Sequence, residues 1–177
     1  MKLRINAMGL VVAVTTVVTA WCGGGGSATA TVPNDVPSVL AKLEKQSVIP
    51  VLNRDNTIAG VVTSPNNIRD DINTYIAALS DSAVQKKALV QLASAYQNTM
   101  LVDTTNSTAL QATDAALVNS ISCIHGQYDS TASTQKTLML EKLTVNTKAR
   151  FTAYEAFNSA LTGSVTDLPA AGVGCAN

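Results

Sequence analysis

The apolar positions of this chain fall into two regimes. Near the start, Met8 to Val18 is an uncharged apolar or small run of eleven residues, shorter than the roughly 20 a membrane-spanning helix requires. Beyond Thr31 the apolar residues become periodic. Val39, Leu40 and Leu43 predict a short helix after Pro37, and Val48 to Leu52 reads as extended because Pro50 biases the preceding residue away from helix. Asn53 to Asn67 carries no period and is rich in Asn, Asp, Gly60 and Pro65. Ile68, Ile72, Tyr75, Ile76 and Leu79 then share one helix face, with Asn67 expected as its cap and Asp70 and Asp71 in its first turn. Ser82 and Gln85 have the spacing of a capping box, and Val84, Ala88, Leu92, Tyr96 and Met100 form the stripe that follows.

Two further helices are predicted. One runs from about Ser107 to Ile124 with Leu110, Leu117, Ile121 and Ile124 inward. The longest covers about Ser133 to Leu161 with Leu140, Leu143, Phe151, Tyr154 and Leu161; Gly163 is its stop and Pro169 lies beyond. No segment alternates long enough for a sheet. The expected fold is all-α, a small antiparallel bundle of four to five helices. Residues 1–21 are expected to be a signal peptide, 22–36 the anchor cysteine and linker, and 37–177 the bundle.

Charge gives the first apolar run its meaning. Lys2 and Arg4 precede it and small residues follow it, the order of a secretory signal. Removing those two leaves 10 of the 12 basic residues against 12 acidic ones, a net charge of about −2 with no basic block. Nucleic-acid binding wants clustered Lys and Arg, so it is not expected. Gly23 to Thr31 has the composition of a tether.

The cysteines bear on processing. Val18-Thr19-Ala20-Trp21-Cys22-Gly23 resembles a bacterial lipobox, in which the Cys becomes the lipidated N-terminus. Trp21 stands where that pattern has a small residue. An ordinary signal peptidase has two alternative sites, after Ala20 or after Ala30. Of the three cysteines, lipidation of Cys22 leaves Cys123 and Cys175 to pair in an oxidising compartment. Such a bridge would pin the tail from Thr166 to the bundle. Neither of these two lies in a C-x-x-C motif, so a structural role is expected.

Ile49-Pro50-Val51-Leu52-Asn53-Arg54 and Ile68-Arg69-Asp70-Asp71-Ile72 resemble the N-terminal segments of a group of uncharacterised bacterial exported lipoproteins. The resemblance covers about 25 residues and implies no activity. In that group an Asp/Asn loop is similar to a calcium site. Here Val62 and Ser64 replace oxygen ligands, leaving Asn66, Asp70 and Asp71 as weak metal candidates. Calcium takes six to eight oxygens, so the loop reads as degenerate, with Asn67, Asp70 and Asp71 serving the helix end. No metal or cofactor is expected.

Other chemistry is sparse. His125 is the only histidine and is expected at a helix end, interacting with the dipole; alone it cannot make a zinc site. Glu141, Lys142 and Glu155 read as a solvated face, and Asp103 and Asp114 as isolated carboxylates. No enzyme is expected. The sequence points to a lipid-anchored protein on the periplasmic side of an envelope, on the outer membrane, attached through Cys22 and binding another envelope protein of the assembly-factor or immunity type. The alternatives are a small-ligand or ion-binding periplasmic module, and a soluble secreted or periplasmic chain.

Overall fold

The computed structural model describes residues 36–176. The expected signal peptide, the linker and the lipidation site Cys22 lie outside the described residues. Six helices and no strand occur among the described residues: α1 (Val36–Lys45), α2 (Asp70–Ala78), α3 (Ala83–Leu101), α4 (Ser107–Gln127), α5 (Ser130–Thr144) and α6 (Lys148–Ala160). The all-helical expectation holds. No described helix is long and apolar enough to cross a membrane.

α3 is the centre. It packs against α2, α4, α5 and α6, most extensively against α4. Ala88, Leu89, Leu92, Ala93, Ala95, Tyr96, Gln97, Thr99 and Met100 are all buried, a face wider than the single expected stripe, while Val84, Lys87, Asn98 and Leu101 keep the opposite side exposed. Small residues in that set let neighbouring backbones approach. Leu40, Ile49, Leu52, Ile68, Ile72, Leu140, Leu143 and Phe157 complete one continuous core.

The caps explain where helices start. Ser82 accepts from the Gln85 backbone while the Gln85 side chain returns a bond to Ser82, the expected capping box. Asn106, Asp129 and Thr147 cap α4, α5 and α6. α1 closes on Ser47, whose left-handed φ of 55° allows the Val48 N–H to reach the Leu43 carbonyl.

Three expectations are corrected. The long helix expected over Ser133 to Leu161 is two helices, which makes six instead of four to five. Thr147 caps the second one, and the intervening Asn146 side chain is engaged by two arginines. Second, Asn67 does not cap α2. It adopts a left-handed turn at φ 53°, and Arg69 occupies the cap position without a side-chain cap bond. Third, Val39, Val84 and Phe151 face solvent. The α1 contact resolves onto Leu40 and Leu43, and Val84 sits in the first turn of α3. The break before Lys148 sets α6 so that Arg150, Tyr154 and Phe157, at spacings of four and three, turn inward.

Candidate functional site

The segment between α1 and α2 contains almost no regular structure, yet it is tightly held. Two fully buried arginines hold it. Arg69 pairs with Asp71 through two bonds, Nε to Oδ1 at 2.9 Å and Nη2 to Oδ2 at 2.7 Å. Its other donors reach the carbonyls of Leu143 and Thr144 and the Asn146 Oδ1. Arg150 donates to the same Asn146 oxygen at 2.8 Å. It also donates to the carbonyls of Asn53, Thr57 and Ile58, to Asn53 Oδ1 and to Asp55. Burial and the neighbouring Arg69 charge lower the Arg150 guanidinium to about 10.

Every guanidinium nitrogen in this pair therefore has a protein acceptor. A buried cation is tolerable only under that condition. The cluster joins the irregular segment to the C-terminal end of α5 and the start of α6. Gly60, at φ +67°, packs so close that a Cβ there would lie 2.5 Å from Arg69 Cδ. Gln97 on α3 adds a third tie: its amide accepts from the Arg69 N–H and donates to the Asn67 carbonyl.

The weak metal candidates are placed by the same network. Asp70 accepts from the backbone and hydroxyl of Thr63, and these bonds hold its carboxyl below the usual carboxylate range. Asp71 is occupied by Arg69 and the Asn53 N–H. Asn66 lies on the surface, with its amide toward Asn73. The two carboxylates thus face protein donors instead of converging on an open point. Among the described residues no group of three or more His, Cys, Asp or Glu side chains is arranged to hold a metal.

His125 lies in the last turn of α4, as expected, and its Nδ1 is 3.0 Å from Ser133 Oγ on α5. Sequence spacing gave no sign of that partner. Ser133 is completely buried and its hydroxyl also reaches the Ser130 carbonyl, so a substrate carbonyl has no approach to Oγ. The pair fastens α4 to α5. Glu141 corrects the expectation of a solvated face: it is half-buried beside Tyr96 and Tyr154, and burial pushes its carboxyl up. Lys142 and Glu155 are exposed as expected. Asp114 accepts from the Thr166 hydroxyl and Asp103 from Thr105.

Cys123 and Cys175 are joined, with S–S 2.00 Å and Cα atoms 4.8 Å apart. The tail lies against α4 and α3. Gly172 N–H donates to Ser122, the Ser122 hydroxyl donates to Ala170, and Gln91 bonds both Gly174 and Ala176. Gly126 is required there, since a Cβ would sit 2.2 Å from Gly172 Cα.

An open surface cleft of about 380 Å³ is lined by Glu44, Val48, Pro50, Val51, Tyr75 and Leu79, among others. Its one carboxylate is already used: Glu44 pairs with Arg54 at 2.7 Å and accepts from the Leu52 N–H. The cleft offers apolar contact and little polar recognition. Arg69 was visible only as part of the resemblance, and Arg150 and Asn146 were missed. Their signal was the buried face Leu143, Asn146, Arg150, Phe157, where a cation occupies a core position. No family model, curated protein or solved structure matches this chain.

Proposed function

We propose that this chain is an exported, lipid-anchored, non-enzymatic protein of a bacterial envelope. Its helical domain stands on the periplasmic side, on the outer membrane, and binds another envelope protein as an assembly or immunity factor does. The observation that carries the reading is the division of the cysteines. Cys22 follows a basic and apolar leader, while the other two cysteines bond to each other and have no thiol left to offer. An oxidising compartment favours that bridge. The polar clusters support the non-enzymatic part, because the buried arginines, Asp70, Asp71 and Ser133 are all spent on internal bonds.

Affinity capture from detergent-solubilised envelopes tests the binding role. The expected result is one stoichiometric protein partner that is lost when the domain is unfolded. Repeated capture of the chain alone contradicts the role.

A further inference from the structure

The corner of the domain formed by α1 and the irregular segment after it is unlike the rest of the surface. Lys42 and Lys45 lie on the solvent side of α1, opposite Leu40. No hydrogen bond or ion pair among the described residues engages either ammonium, whereas Glu44 is taken by Arg54. Between residues 36 and 54 the charges are Lys42, Lys45 and Arg54 against Glu44, three positive and one negative, in a chain whose portion after Cys22 is net acidic. The same stretch of chain carries apolar residues with little packing: Val39 is 39 % exposed, Val48 60 % and Val51 79 %.

We infer that this corner docks on a bilayer surface bearing anionic headgroups, with Val48 and Val51 entering the interface and Lys42 and Lys45 meeting the phosphates. The inference rests on the anchoring proposed above. Val36 follows Cys22 by 36 − 22 = 14 positions, about 50 Å at full extension, so α1 is the helix nearest the anchor along the chain. Interleaved lysines argue against a protein partner, whose interface cores are depleted of Lys. They suit a headgroup layer, where each basic residue near the surface contributes about fivefold in binding.

The test uses the chain from Cys22 onward with its bridge intact, coupled through the Cys22 thiol to a maleimide lipid in vesicles. Hydrogen exchange is compared on phosphatidylcholine alone and on phosphatidylcholine with phosphatidylglycerol. Slower exchange over residues 37–52 on the anionic vesicles is expected. K42E/K45E should reduce that effect by about 25-fold, and V51S, at an exposed position that leaves the core untouched, should weaken it. Equal exchange on both vesicles, or protection that survives K42E/K45E, overturns the inference. Protection that instead rises with protein concentration without vesicles assigns the corner to a second copy and also overturns it. Because the tether here is chemical, this result is independent of acylation, which the mass of the envelope-derived protein reports separately.

Discussion

Single residues carry much of what distinguishes this fold, and two of them sit where the chain adopts a conformation that favours glycine. Ser47 ends α1 with φ 55°, a region that costs a side-chain-bearing residue roughly 1 kcal/mol. Ser47→Gly is therefore expected to raise stability by about 0.5–1 kcal/mol, read as a higher urea midpoint with unchanged slope. Gly60 shows the converse: Gly60→Ala adds both backbone strain and a clash with the Arg69 side chain, and should lower the midpoint. Arg69 is the more severe case. Arg69→Met removes the cation from a buried pair and leaves Asp71 with only the Asn53 N–H, for an expected loss of about 3–5 kcal/mol. Glu141 gives a pH-dependent prediction. Its folded carboxyl is raised above the ordinary 4.5 by burial, so its charged form opposes folding at neutral pH, and the opposition is relieved as falling pH protonates it. Glu141→Gln should raise the melting temperature at pH 7, with the gain shrinking as pH approaches 4.5. Unchanged melting at pH 7 would remove Glu141 from the buried tyrosine cluster.

Elements were readable where a local rule sets them. The Ser82–Gln85 box, the acidic first turn of α2 and the start of α4 at Ser107 all follow from short-range chemistry that spacing exposes. The break between α5 and α6 was not readable, since no Gly or Pro marks Val145 to Thr147. Its reason is tertiary: Asn146 leaves the helix to give one oxygen both to Arg69, from a distant part of the chain, and to Arg150, four residues on. The same long-range character hid the site. Asp70 and Asp71 could be expected at a helix start, but their partners Thr63, Asn53 and Arg69 depend on how the irregular segment folds back. Thr147 caps α6 through Arg150 N–H, so Thr147→Ala should cost about 1 kcal/mol and loosen Arg150, the residue that follows the break. Hydrogen exchange would show it as faster opening over α6 than over α4.

At the scale of the molecule, a bundle centred on α3 is closed at one end by the arginine network and at the other by the bridged tail. The bridge joins positions 52 apart, which on the chain-entropy model stabilises by about 4 kcal/mol. Replacing both cysteines with alanine should lower the denaturation midpoint accordingly and expose the tail beyond Gly163 to protease first, since the hydrogen bonds that remain to it come from a few side chains, among them Asp114, Ser122 and Gln91. The bridge also bears on the larger claim, because it leaves Cys22 as the one cysteine of the chain outside it. The most direct measurement is the intact mass of the protein isolated from envelopes, with its N-terminal peptide. A chain starting at Cys22 and carrying diacylglycerol and an amide-linked acyl group is expected. An unacylated chain starting at Trp21 or Thr31 would contradict it.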